Sequence, residues 1–283
     1  MATSNRNPAV KARGGLELPS LGLGTWLMGE QPQNRKAEVD ALQRGMDLGV
    51  GLIDTAENYA DGGSELVVGE AIKGRRDEVV IVTKVGPTKA SKQGTLDNAE
   101  ASLKRLGTDR IDLYLLHDEP EHPLEDTLES FERLKSDGKI LHYGVSNFDL
   151  ALMQKCETLE LGANVECNQL RYALTHRALE AEILPLCEAS QIAVMAYSPI
   201  GIGKLNIHPV LEQVARRHNV SPWCVAIAFT MRHPLLVSIP KASNPQHVED
   251  NAKALDMTLT EQDLNELDTA YPQPPAGSFD KWD

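Results

Sequence analysis

Short apolar runs rich in β-branched residues alternate with stretches whose apolar positions recur every three or four residues, and the alternation has no break. The runs 21–24, 51–54, 79–84, 111–117, 140–146, 165–169, 192–197 and 237–239 read as strands. Apolar on both faces, they suit a parallel sheet covered by helices. Between them, 34–48, 64–72, 95–106, 124–137, 149–158 and 178–190 have helical periodicity. Two further helices, 209–218 and 221–233, are predicted between the last two strands, and Thr260-Glu261-Gln262-Asp263 has the form of a capping box opening a closing helix. About eight strand–helix units is the number that closes a ring, so the pattern predicts the α/β class and a (β/α)8 TIM barrel with additional helices. Leu16-Glu17-Leu18-Pro19-Ser20-Leu21 predicts an N-terminal hairpin plugging the barrel floor. The expected organisation is a flexible segment 1–15 and a single barrel domain 16–283, with no linker or low-complexity tract to mark a second domain.

The length of 283 residues fits that reading, because a closed barrel uses about 250 residues as one unit. Hydrophobic residues at 41% and charged residues at 24% are ordinary globular usage, which excludes a disordered or fibrous chain. Lys and Arg total 28 against 41 Asp and Glu, a net charge of -13 that repels phosphate backbones and anionic headgroups. Neither nucleic acid nor a membrane is therefore expected as a partner. Cys156, Cys167, Cys187 and Cys224 lie far apart with no C-x-x-C spacing, as reduced thiols of a cytoplasmic protein would. Residues 1–8 lack an apolar signal core, and no stretch approaches the roughly 18 apolar residues of a membrane span. A monomer or small homo-oligomer is expected.

Barrel enzymes assemble their sites from residues at the carboxyl ends of strands. Three consecutive predicted strands end on a polar group: Gly51-Leu52-Ile53-Asp54, Val82-Thr83-Lys84 and Leu115-Leu116-His117. Tyr59 follows Asp54 by five residues, on the loop leaving the same strand. Reducing a carbonyl by hydride needs an acid to protonate the developing alkoxide, and a phenol of pKa about 10 is a weak donor at neutral pH. In this reading the Lys84 ammonium lowers the Tyr59 pKa, Asp54 keeps Lys84 charged, and His117 orients the carbonyl oxygen. Taken singly, each has a bland alternative: a cap for Asp54, a solvated surface group for Lys84, a packed aromatic for Tyr59, a core imidazole for His117. Their arrival on consecutive strands argues for chemistry.

These residues resemble the aldo-keto reductase family, through Gly51-Leu52-Ile53-Asp54-Thr55-Ala56-x-x-Tyr59, Thr83-Lys84, Leu115-Leu116-His117, Gly144-Val145-Ser146-Asn147-Phe148 and Ile239-Pro240-Lys241. Within it the chain looks most like bacterial enzymes that reduce methylglyoxal and other short aldehydes, through Gly24-Thr25-Trp26-Leu27-Met28-Gly29-Glu30 and Ala60-Asp61-Gly62-Gly63-Ser64-Glu65. The resemblance implies a catalytic set of Asp54, Tyr59, Lys84 and His117, with Tyr59 as general acid. It implies an NADPH cofactor, with NADH as the alternative, lying over Gly24, Thr25, Trp26 and Asp54. The nicotinamide would stack on Tyr197, with its carboxamide held by Ser146, Asn147 and Gln169. The pyrophosphate would lie under Ser198, Pro199, Ile200, Gly201 and Gly203. The adenosine end would rest on Ile239, Lys241, Ala242, Ser243, His247 and Asn251. The substrate, a small carbonyl compound, would meet Trp26, Tyr59, His117 and Trp282.

Two departures from the family pattern stand out. Six residues after Lys241, where an Arg commonly clamps the 2′-phosphate, this chain has His247, so a weaker preference for NADPH is expected. After His117 come Asp118-Glu119-Pro120-Glu121-His122 in place of an aromatic residue, which predicts a more polar substrate wall. That segment also raises a metal-dependent barrel hydrolase as a rival. Its two His five apart lack the spacing that shares one helical face, so no metal is expected. A second rival is a non-catalytic NADPH-binding redox sensor subunit, which the complete set of four residues speaks against.

Overall fold

The computed structural model describes residues 7–279. A two-stranded antiparallel hairpin, β1 (Ala9–Lys11) and β2 (Glu17–Pro19), precedes eight parallel strands. These are β3 (Leu23–Gly24), β4 (Leu52–Asp54), β5 (Val80–Val85), β6 (Ile111–Leu116), β7 (Ile140–Ser146), β8 (Cys167–Arg171), β9 (Ala193–Tyr197) and β10 (Leu236–Ile239). Each pairs with its neighbour in chain order, and parallel bridges from Leu21 to Ser238 and from Gly24 to Lys241 join the first strand to the last. The ring is thus closed as the (β/α)8 reading requires. Closure depends on a glycine, because a Cβ on Gly24 would lie 2.9 Å from the carbonyl oxygen of Ile239.

Around the ring stand α1 (Arg35–Asp47), α2 (Gly63–Ala71), α3 (Lys92–Leu106), α4 (Leu124–Ser136), α5 (Leu150–Glu157), α6 (Ile183–Ala189), α7 (Pro209–His218), α8 (Pro222–Thr230), α9 (Pro245–Ala252) and α10 (Glu261–Ala270). Their apolar stripes and the outward side chains of the strands form one core layer. A second core fills the barrel itself, from inward residues such as Leu52, Val82, Leu113, Met195 and Val237. Val10, Leu16 and Leu18 of the hairpin belong to this inner cluster, so the hairpin does plug the floor. With its own interior filled from below, the barrel leaves chemistry only the opposite mouth.

Several boundaries differ from the sequence reading, and two of the larger differences have a local cause. The hairpin begins at Ala9, inside the segment 1–15 expected to be flexible, because Gly14 and Gly15 at φ 70° and 83° turn the chain back on itself. Arg13 fastens that turn by donating to the carbonyls of Val165 and Gly162. The helix expected over 178–190 is a short turn at Ala178–Glu180 followed by α6, since Pro185 in α6's first turn has no N–H and its ring clashes with the carbonyl four residues back. β8 runs two residues beyond Gln169, to Arg171. Among the described residues no helix is long and apolar enough to cross a membrane.

The Thr260 capping box forms as expected, with Thr260 Oγ1 accepting from Asp263 N and Asp263 Oδ2 accepting from Thr260 N at 2.8 Å. The fully buried Asp263 carboxylate also receives Arg217 and His218 from α7, clamping the closing helix to the barrel's outer layer. Against the cost of burial, these donors hold its carboxyl well below the usual carboxylate range. Asp263→Ala is expected to cost roughly 2 kcal/mol and lower Tm by about 5 °C at neutral pH. A carboxylate depressed on folding contributes fully above its unfolded pKa of about 4 and loses that contribution as pH falls. The Tm gap between wild type and variant should therefore narrow at roughly pH 3. An equal gap at both pH values would contradict the assignment.

Candidate active site

Asp54 ends β4, Lys84 lies one residue from the end of β5 and His117 directly follows β6, so pleat and register bring the three to one mouth. Inside the barrel Lys84 Nζ stands 2.8 Å from Asp54 Oδ1 and 2.8 Å from the carbonyl oxygen of Thr55. Gln169 Nε2, reaching across from β8, donates to the same Asp54 oxygen at 2.7 Å. The side chains of Lys84 and Asp54 are 0% and 4% exposed. Burial pulls the Lys84 ammonium below its ordinary pKa, and the Asp54 carboxylate opposes that loss.

Tyr59 lies over this pair, with the Lys84 nitrogen 5.2 Å from the centre of its ring. Its aromatic edge meets His117, the ring centres 5.6 Å apart and inclined at 70°. One expectation is corrected. The Tyr59 phenol is not lowered but pushed well above its ordinary value, first by burial and then by the nearby Asp54 charge. The ammonium points into Asp54 and Thr55, so the charge that Tyr59 meets is nearly neutralised. His117 is pushed down to about 3 by burial and by Lys84, and is a neutral imidazole at physiological pH. Its Nδ1 is buried without a hydrogen-bond partner among the described residues.

A polar chain runs on from His117. Asn147 Nδ2 donates to the His117 carbonyl at 3.1 Å, and Tyr197 OH donates to Asn147 Oδ1 at 3.0 Å. Ser146 Oγ donates to the Gln169 carbonyl. Asn147 at φ 60° and Ser198 at φ 52° hold left-handed conformations that are costly away from glycine, and both sit directly beyond strand ends at the mouth. The loop after β9 continues through Pro199 and Ile200 into a turn at Gly201–Gly203, where a Cβ on Gly203 would meet nothing. Ile239 ends β10, Lys241 Nζ donates to Ser243 Oγ at 3.3 Å, and Ala242 is buried between them. Asn244 caps α9, which carries an exposed His247 and a buried Asn251. Trp26 is 44% exposed just past Gly24 at the end of β3, and Trp282 lies outside the described residues.

Sequence reasoning missed Ser64. Its buried hydroxyl donates to Thr25 Oγ1 at 2.7 Å and lies 3.0 Å from Thr55 Oγ1, while Thr25 Oγ1 donates to the Asp54 carbonyl. This hydroxyl cluster ties the loop bearing Trp26 to the strand bearing Asp54, but a serine opening a helix reads in sequence only as a cap. The acidic segment after His117 does not gather as a metal site would. His122 lies 3.2 Å from the Thr88 carbonyl, and no group of three potential ligands forms among the described residues.

Residues 20–272 match the model of the aldo/keto reductase family. The chain belongs to that family. As an aldo/keto reductase it is an NAD(P)H-dependent oxidoreductase acting on carbonyl groups. It is 44% identical to methylglyoxal reductase YeaE of Escherichia coli (strain K12), over 94% of this chain and 95% of that one. It is 31% identical to the glyoxal reductase of Bacillus subtilis (strain 168), over 95% and 94% of the two chains. The crystal structure of an aldo/keto reductase from Klebsiella pneumoniae in complex with NADP and acetate superposes with a TM-score of 0.93 at 41% identity, covering 98% of this chain and 99% of that one.

Burying an ion pair is tolerated only while both partners remain. Lys84→Met or Asp54→Leu alone should cost about 3–5 kcal/mol of stability, and the double variant distinctly less than the sum of the two. Chemical denaturation of the three proteins measures this. Simple additivity would show that the pair is not the coupled unit described.

Proposed function

We propose that this aldo/keto reductase uses NADPH to reduce small aldehydes and ketones, short 2-oxoaldehydes such as methylglyoxal among them, with Tyr59 as proton donor. The observation that carries the reading is the convergence of Tyr59, Lys84, Asp54 and His117 at the ends of consecutive strands. Similarity to the methylglyoxal and glyoxal reductases supports the substrate class, and the NADP complex of the Klebsiella relative supports the cofactor.

The residues present fit a nicotinamide dinucleotide. Asn147 and Ser198 in left-handed conformations, the open face of Gly203, the Tyr197 ring and the capped start of α9 beside Lys241 all follow the carboxyl ends of strands, on the side of the barrel where Asp54 and Lys84 lie. Tyr197 would face the nicotinamide, Ser146, Asn147 and Gln169 would grip its carboxamide, and Lys241 with the α9 amides would meet the phosphate of the adenosine end. Bound there, the cofactor supplies a hydride to the carbonyl carbon.

The protein's part is the proton and the placement. Tyr59 and the neutral His117 imidazole both address the substrate oxygen. As charge grows on that oxygen, the Tyr59 hydroxyl transfers its proton to it, because an alkoxide is a stronger base even than a buried phenolate. The resulting phenolate is a short-lived, strongly basic species in this buried setting, and it takes its proton back from solvent.

Tyr59→Phe is expected to lower kcat/KM for methylglyoxal about 10²–10⁴-fold while leaving NADPH binding intact by fluorescence titration. Near-normal turnover would remove Tyr59 from the role. His247→Arg is expected to tighten NADPH about tenfold relative to NADH, through a bidentate charged contact that imidazole cannot make. An unchanged ratio of the two dissociation constants would mean that position 247 does not meet the 2′-phosphate.

A further inference from the structure

We infer that Arg171 makes this site selective for carbonyl substrates that carry a carboxylate or similar anionic group. The inference rests on the mouth being the carbonyl-reducing site proposed above. Side chains alternate along β8, and Cys167 belongs to the cluster inside the barrel while Gln169 reaches Asp54 across it. Arg171 continues that same face one step nearer the mouth, paired in register with Tyr197 of β9.

Its guanidinium is partly buried and unengaged. Of the arginines among the described residues, Arg171 alone makes neither an ion pair nor a side-chain hydrogen bond. In a chain with 41 Asp and Glu against 28 Lys and Arg, an unpaired arginine at the mouth of a site is a directed feature. Its charge reaches the Tyr197 ring, whose phenol burial pushes up to about 12 against the pull of Arg171. Asp118 acts on the same phenol with opposite sign. A planar fork of donors suits a carboxylate, which a substrate bearing its carbonyl toward Tyr59 would present at its far end. An uncharged aldehyde has nothing to offer it.

Butanal and succinic semialdehyde share a carbon chain and differ in a terminal carboxylate. With NADPH, the wild-type ratio of kcat/KM for succinic semialdehyde over butanal should exceed one, and Arg171→Leu should lower that ratio about tenfold, mainly through KM. Arg171→Lys should recover part of it, since the charge stays and the fork is lost. Equal losses on both aldehydes, or an unchanged ratio, would overturn the inference. Reduction of neither aldehyde by the wild type would count against the carbonyl-reducing reading itself. Arg171 is then judged by saturation-transfer NMR of succinate with NADP present. Binding by wild type and Tyr59→Phe but not by Arg171→Leu supports the anion contact, and equal binding by all three, or by none, overturns it.

Discussion

An ammonium and a carboxylate share the dry interior of the barrel at 2.8 Å, and neither would be stable there alone. Much of the mouth follows from keeping them together. Lys84 spends its hydrogen bonds on Asp54 and the Thr55 carbonyl, and Gln169 comes from β8 to the same carboxylate oxygen. One ion pair thus binds β4, β5 and β8 across the ring, which fixes the platform above which Tyr59 and His117 stand. The hairpin matters for the same reason. By filling the floor with Val10, Leu16 and Leu18, it denies water a route from below to a charge pair that solvent would loosen.

The strands were legible because a buried parallel sheet demands unbroken apolar runs, and the polar residue ending such a run is conspicuous. Asp54, Lys84 and His117 were visible in this way. What escaped was whatever depends on space rather than order. Arg171 was left outside β8 because a charged residue ends an apolar run as readily as it joins the end of a strand, and only the register with Tyr197 settles which. Ser64 was placed only at the start of a helix, whereas its hydroxyl links two loops that are far apart in sequence. The hairpin's first strand is three residues long, too short for alternation to register.

The ionisation of Tyr59 was misread for a related reason. Sequence can bring a lysine near a tyrosine, but the field at the phenol depends on where the ammonium points and on how much water is excluded. Here the lysine's charge is largely cancelled by Asp54, and burial raises the phenol. The same burial holds His117 neutral, so Tyr59 and His117 are both uncharged at the mouth.

That neutrality bears on the direction of the chemistry. A site with a fixed positive charge beside the substrate oxygen would stabilise an alkoxide before any hydride moved, and would bind anions there indiscriminately. With Tyr59 as donor, a phenol held above its ordinary pKa is protonated at every physiological pH, so the proton that reduction consumes is always in place. The reverse reaction needs the phenolate, and burial together with Asp54 makes that form costly. For a donor at Tyr59, burial and the Asp54 charge therefore favour the acid form, the form that carbonyl reduction consumes.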